Sequence, residues 1–312
     1  MEMPNHNGAV IQAEPGPSIR PGEKLRAVIL LGGTVRNSGF GAAIKRSLLD
    51  LPIGRGITLL EHWGREIAGL CQFLSLSKLP VRLVIGRTCF WPNSWIESPG
   101  VHLSIERDPM EFRGTGGVLR DLALEYEPDD LILVATATLL SADSLSHQVE
   151  RLISGSGDVR LLAGPNQVPA GLILLRCGCL SDIPANGYVD LKEQALGAIA
   201  NKHSVRVVQD EKSSGHSIRC WNDYLNALRL RHLPPDAAQH SAYQENWQPL
   251  FRIVEDAAVI APSANIHDSV VLAGGRVEAK ATVVRSLVGT DGVVLRGQTI
   301  FGEMITATGR TA

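Results

Sequence analysis

Between Ile253 and Ile300 the aliphatic residues recur with a step of 17 residues in three registers. Ile253, Val270 and Leu287 form the first, Ile260, Val277 and Val294 the second, and Ile266, Val283 and Ile300 the third. Two stretches align residue by residue, Ser269-Val-Val-Leu-Ala-Gly-Gly-Arg-Val with Ser286-Leu-Val-Gly-Thr-Asp-Gly-Val-Val. Single aliphatics about six residues apart, with small residues between them, cannot bury themselves within one coil. Each coil must cover the next, which is the logic of a solenoid. The spacing predicts hexapeptide-type parallel β-helix coils over 253–303, followed by a polar terminus over 304–312.

The chain ahead of the solenoid reads differently. Residues 1–24 carry four prolines with little apolar clustering and are expected to be a disordered tail. From Leu25 onward, short aliphatic runs alternate with amphipathic stretches. Strands are predicted at Leu25–Leu31, Val81–Ile85, Val101–Ile105, Leu131–Thr136, Val159–Ala163, Ala170–Cys177 and Val205–Gln209. Helical spacing occupies the segments from Leu59, Gly117, Ala142, Leu191 and Trp221, the last ending before Pro234-Pro235. This alternation predicts an α/β domain over 25–235, an open mixed sheet with helices on both faces. Ligands of such sheets lie at the carboxyl ends of the strands. Residues 236–252 read as a polar connector.

Bulk properties exclude several functions. With 30 basic and 32 acidic residues the net charge is −2, which gives no electrostatic case for nucleic acid or an anionic membrane. No apolar run is long enough to span a bilayer, and the first residues lack a signal-peptide pattern, so a cytoplasmic location is expected. The five cysteines are scattered and imply neither a disulfide framework nor a zinc knuckle. Cys177 and Cys179 read as buried positions on one face of a strand.

Two glycine-rich loops carry the chemistry. Leu31-Gly32-Gly33-Thr34 follows the first strand, and glycines there let backbone N–H groups approach a phosphate. Arg36, Lys45 and Arg46 follow it and would neutralise the phosphate charge. The plain alternative is a tight turn leading into a solvated basic helix. Neither the dinucleotide fingerprint nor the Walker pattern is present. The second loop, Arg113-Gly114-Thr115-Gly116-Gly117, opens a helix and suits a nucleotide packed on bare backbone, or else is a loop needing positive φ.

Taken in order, these segments resemble the sugar-1-phosphate nucleotidyltransferases, or nucleotide-sugar pyrophosphorylases, and the resemblance covers nearly the whole chain after residue 24. Leu31-Gly32-Gly33 and Leu48-Leu49 match the family's L-A-G-G-x-G-T-R-L and P-K-x-L-L-P segments, with Arg46 at the family lysine. Gly114-Thr115-Gly116-Gly117-Val118-Leu119 looks like G-T-A-G-A-L, and Ala170-Gly171-Leu172 looks like part of N-T-G-I-Y-V-F. Ser217 to Leu225 is similar to D-I-G-T-P-E-D-Y-L. The solenoid phrases look most like the mannose-1-phosphate guanylyltransferase and glucose-1-phosphate adenylyltransferase branches. The resemblance implies a Rossmann-like, GT-A type α/β domain with a left-handed β-helix behind it. It implies a nucleotide or nucleotide-sugar and a sugar-1-phosphate as ligands, with Gly171, Asp190 and Glu193 on the sugar side.

The family's reaction runs through Mg²⁺, which requires hard oxygen ligands, usually carboxylates. The resemblance places Thr138 and Ser217 at the two metal aspartates, so both carboxylates are replaced by neutral hydroxyls. The metal site therefore reads as degraded, and Mg²⁺ is implied only if the chain is catalytically active. Asp143, Asp190 and Glu193 are the acids that would stand in. Three readings remain open: a binding protein with lost or weak pyrophosphorylase activity acting as a regulatory or structural homologue, an active enzyme with rearranged metal ligands, and an oligomerising assembly module. A homo-oligomer or a complex with an active paralogue is the expected assembly.

Overall fold

The computed structural model describes residues 24–32, 39–95, 97–108, 113–212, 215–233 and 249–311. The first elements are β1 (Leu25–Leu31), α1 (Phe40–Ala43), α2 (Leu59–Phe73), β2 (Leu79–Ile85), β3 (Val101–Arg107) and α3 (Gly114–Ala123). Then come β4 (Leu131–Thr136), β5 (Leu139–Ser141), α4 (Leu145–Ser154), β6 (Val159–Ala163), β7 (Pro169–Arg176) and α5 (Leu196–Ala200). β8 (Val205–Gln209), β9 (Gly215–Ser217) and α6 (Trp221–His232) complete this part.

The α/β sheet runs β3-β2-β1-β4-β7-β6-β8. β7 is antiparallel to both neighbours, and the other pairings are parallel, so the sheet is mixed. β1 shows why these aliphatic runs form central strands. Its side chains alternate between two cores, Val28 and Leu30 on one face and Ala27 and Ile29 on the other, all fully buried. A strand buried on both faces must read as a continuous apolar run. The chain leaves β1 for β2 and β3 on one side and returns to β4 on the other. That reversal opens a crevice at the carboxyl ends of β1 and β4.

Helix α2 begins with a capping box. The Thr58 hydroxyl accepts the Glu61 amide at 3.3 Å, and Glu61 accepts the Thr58 amide at 2.6 Å. Its buried face carries Leu59, Leu60, Trp63, Ile67 and Leu70, a helical apolar stripe against the sheet. Two elements differ from the sequence reading. Cys177 and Cys179 are buried, but in a 3₁₀ turn, Cys177–Asp182, because the amides of Cys177 and Gly178 donate to the carbonyls of Asp130 and Pro128 and not to a strand. The helix predicted from Leu191 opens as one wide turn, Leu191–Ala195, before tightening into α5.

The solenoid consists of β10 (Arg252–Val254), β11 (Val259–Ile260), β12 (Asn265–His267), β13 (Ser269–Val271), β14 (Arg276–Val277) and β15 (Thr282–Val284). It ends with β16 (Leu287–Val288), β17 (Val293–Val294), β18 (Thr299–Phe301), β19 (Met304–Thr306) and β20 (Gly309–Thr311). Three parallel sheets stack in the registers read from sequence: Ile253, Val270 and Leu287 are ladder partners, as are Ile260, Val277 and Val294, and Ile266, Val283 and Ile300. The first ladder runs one rung beyond the sequence boundary, since Leu287 pairs with Met304, and β20 folds back antiparallel on β19. Serines hold one corner. The Ser286 amide donates to Ser269 Oγ at 3.0 Å, and the Glu303 amide to Ser286 Oγ at 3.1 Å.

The α/β core continues into the solenoid without a break. Ile44, Leu49, Leu51 and Ile53 lie in one buried cluster with Phe251, Val270, Leu272 and Leu287. The segment between α1 and α2 is therefore the platform on which the solenoid rests. No helix among the described residues is long and apolar enough to cross a membrane. Residues 1–23 of the expected tail and 236–248 of the expected connector lie outside the described residues.

Candidate functional site

At the carboxyl ends of β1 and β4 a cavity of about 210 Å³ opens between the sheet and the Asp190 turn. Leu31, Thr115, Gly171 and Asp190, four residues singled out in the sequence from four separate segments, all line it. The fold brings them together through the switch between β1 and β4, with β7 contributing Gly171 at φ +80.

Asp190 is fixed in place. Its Oδ1 accepts the amides of Lys192 and Glu193 at 2.8 and 3.0 Å, and its Oδ2 accepts the Thr115 hydroxyl at 3.3 Å. The same hydroxyl accepts the Leu191 amide at 3.0 Å. Asp190 is thus an N-cap tied to α3, with most of its acceptor capacity filled. Glu193 is exposed and does not line the cavity. Lys192 does line it. The sequence reading missed this lysine, although it stands between two residues that were named, and a cation beside an expected phosphate was the available signal.

The glycines of the second loop serve the fold. Gly114 has φ +70, and a Cβ there would stand 2.4 Å from the Val189 carbonyl oxygen. The amides of Gly116 and Gly117 donate to that same oxygen at 2.9 and 3.3 Å, so neither is free for a phosphate. Arg113, almost fully buried, pairs with Asp121 at 2.8 and 2.9 Å and donates to the carbonyls of Pro184 and Gly187. The pairing holds the Asp121 carboxyl below its ordinary range. Together these contacts clamp the chain over 184–190 onto α3, and Thr115 alone of this loop faces the cavity.

At the first loop, the Gly32 amide donates to Val84 at 2.7 Å, which carries the edge of β1 to the cavity rim. Gly33, Thr34 and Arg36 lie outside the described residues. Lys45 and Arg46 turn to the solenoid. Lys45 Nζ is 2.9 Å from Asp291 Oδ2, and Arg46 Nη1 is 2.7 Å from Glu255 Oε2. Neither lines the cavity.

Thr138 and Ser217 meet. Leu139 pairs with Ser217 in the β5–β9 ribbon, and the Ile218 amide donates to the Thr138 carbonyl at 2.9 Å. The two positions are 79 residues apart in sequence and adjacent in space. Neither of these two positions carries a carboxylate, and neither lines the cavity that holds Asp190. Asp143 lines a small hollow with His62, Glu66 and Gln148, and Leu139 and Ser141 of the same ribbon line it too.

Asp158, Cys179 and His203 form the one metal-like grouping among the described residues, at the opposite end of the sheet. Its hydrogen bonds are already complete. Asp158 takes Arg176 at 2.8 Å and the Ser204 amide and hydroxyl at 2.9 and 2.8 Å, and His203 pairs with Asp182 at 2.7 Å. The Ser204 bonds hold Asp158 down at about 2, and burial pushes the Cys179 thiol up to about 11. A protonated thiol beside a carboxylate already neutralised by arginine is a packed ion-pair cluster.

No protein-family model matches the chain, and no curated protein matches it. Solved structures do. A UDP-glucose pyrophosphorylase from Acinetobacter baumanii aligns with a TM-score of 0.51 at 11% identity, over 69% of this chain and 96% of its own. A putative glucose-1-phosphate thymidylyltransferase from Bacillus anthracis, solved in complex with a sucrose, aligns with a TM-score of 0.50 at 12% identity, over 66% of this chain and 95% of its own. The chain has a sugar-1-phosphate nucleotidyltransferase fold. At these identities the likeness is one of fold, and about a third of this chain lies outside it.

Proposed function

We propose that this protein binds a nucleotide sugar or a sugar-1-phosphate in the cavity above β1 and β4, with pyrophosphorylase activity lost or weak, and acts as a regulatory or structural homologue in nucleotide-sugar metabolism. The observation that carries the reading is that the backbone segments of Thr138 and Ser217 are neighbours at the end of the β5–β9 ribbon. The resemblance assigns these two positions to the metal carboxylates from separate motifs, and a wrong alignment would have no reason to make them neighbours. With hydroxyls there, the ion that would neutralise the developing phosphoryl charge lacks its anchors. Losing about 4 kcal/mol of transition-state stabilisation slows a reaction by roughly 10³. Binding needs less, because Lys192 and the fixed Thr115–Asp190 turn remain at the cavity.

The test is pyrophosphate release with Mg²⁺ across nucleoside triphosphates and sugar-1-phosphates, paired with calorimetry on nucleotide sugars. Binding without turnover is the expected result. Robust turnover would defeat the proposal in favour of rearranged ligands, and absence of binding at millimolar nucleotide sugar would leave the assembly role alone.

A further inference from the structure

We infer that the enclosed part of the cavity selects a deoxygenated or otherwise apolar moiety over a fully hydroxylated hexose, the phosphate of the ligand being held at Lys192. The inference rests on the ligand-binding reading above and specifies its substrate class. It follows from an inventory of the polar groups in the wall. Leu31, Val134, Leu161, Leu162, Leu172 and Ile173 supply most of the lining. The polar side chains are Thr115, Thr136, Asp190 and Lys192. Thr115 and Asp190 are bonded to each other and to the amides of Leu191, Lys192 and Glu193. The backbone of β4 is paired with β1 on one side and β7 on the other, and β6 lies between β7 and β8, with one break in its register against β7 between Leu161 and Ala163. Apart from that break the sheet beneath the cavity offers few open groups.

Among the side chains of the described residues this leaves the Thr136 hydroxyl, the Lys192 ammonium and one acceptor position on Asp190 Oδ2 for a ligand. A hexose ring carries several hydroxyls, each a donor and an acceptor. Once buried, each needs a partner to replace water. Aliphatic walls give none, and each hydroxyl left unpaired weakens binding roughly tenfold. A ring that lacks those hydroxyls, or carries methyl or acyl groups in their place, meets the same walls with gain. Lys192 at the rim, with no ion pair among the described residues, supplies the cation for the phosphate.

The experiment uses base-free probes on the full chain, since the cavity and not the base is in question. Cyclohexyl phosphate and glucose 1-phosphate are titrated calorimetrically without divalent metal. Cyclohexyl phosphate is expected to bind about tenfold tighter or more, and Lys192→Met to weaken both. Leu161→Asn, which places an amide in the wall, is expected to narrow or reverse the preference. If that variant does not fold, Val134→Thr, nearly the same shape, is read in the same way. Glucose 1-phosphate binding as tightly as cyclohexyl phosphate to the wild-type protein overturns the inference and leaves the ligand cavity standing. Binding of neither probe, together with no response to any nucleotide sugar, removes both.

Discussion

The guanidinium of Arg46 reaches Glu255 of the first solenoid coil at 2.7 Å, and the same carboxylate oxygen accepts the Ala273 amide of the next coil at 2.6 Å. One acid thus joins two coils and the loop that follows α1. Both side chains are about four-fifths buried, so the pair is poorly screened. Arg46→Ala is expected to destabilise the protein by about 1–3 kcal/mol in urea unfolding. Lys45→Ala should change it by less than about 0.5 kcal/mol, because its pair with Asp291 is more than half exposed on both sides. Phosphate neutralisation by these residues predicts a different pattern: weaker nucleotide binding with unchanged stability.

The close approach of Gly114 to Val189 sets up a second contrast. A Cβ at Gly114 would meet the Val189 oxygen at 2.4 Å in a backbone already at φ +70. Gly187 also has positive φ, +89, but a Cβ there meets nothing within 4 Å. Gly187→Ala should therefore cost only about 1 kcal/mol, the conformational part. Gly114→Ala adds displacement of the 184–190 segment and should cost about 3 kcal/mol or more. Comparable unfolding midpoints for the two variants would mean that the contact with Val189 is not what requires glycine at 114.

These contrasts show where sequence reasoning reached and where it stopped. The solenoid was legible because its determinant is local: a 17-residue step places Ile253, Val270 and Leu287 on one ladder whatever the rest does. β1 was legible because burial on both faces leaves an unbroken apolar run. The roles of Lys45 and Arg46 were not, since their cations are visible but their partners stand 246 and 209 residues away. For the same reason the glycines at 114, 116 and 117 could be seen to need a bare backbone, but not that Val189 was what approached it. Lys192 was passed over because a single lysine between Asp190 and Glu193 looks like an ordinary solvated helix start.

Restoring carboxylates tests the placement of Thr138 and Ser217. In the double variant Thr138→Asp, Ser217→Asp, two acids would stand at one end of the ribbon, one just before β5 and one on β9. Like charges so close repel, so without a cation the variant should be less stable than wild type, with Mg²⁺ restoring stability in a concentration-dependent way. Nucleotide affinity should become Mg²⁺-dependent, rising about tenfold or more when the ion is added. Thermal melts and calorimetry with and without Mg²⁺ read both effects. Affinity that ignores Mg²⁺ in the double variant would count against the assignment of these two positions.

His62 gives the fold a pH dependence of definite sign. It stands in the first turn of α2 with its side chain mostly buried, and burial first, then Arg231 and Arg65, lower its pKa from 6.5 to about 4. Glu66 stands 4.0 Å away, but its other oxygen accepts the Leu145 amide, and it does not reverse the shift. The folded protein therefore holds a neutral imidazole where the unfolded chain would take up a proton. Above pH 6.5 both states are neutral at this residue and its contribution to stability is fully present. As pH falls toward 4 the unfolded state gains the proton first, so stability declines by about 1.4 kcal/mol per unit, up to about 3 kcal/mol. Below that point the folded state is protonated too and this residue adds no further loss. His62→Gln removes the titrating group, so the stability difference between wild type and variant should shrink or invert between neutral pH and pH ~4.5. Urea midpoints across that range measure it, and a difference that stays constant with pH would place the acid sensitivity of this fold in other groups.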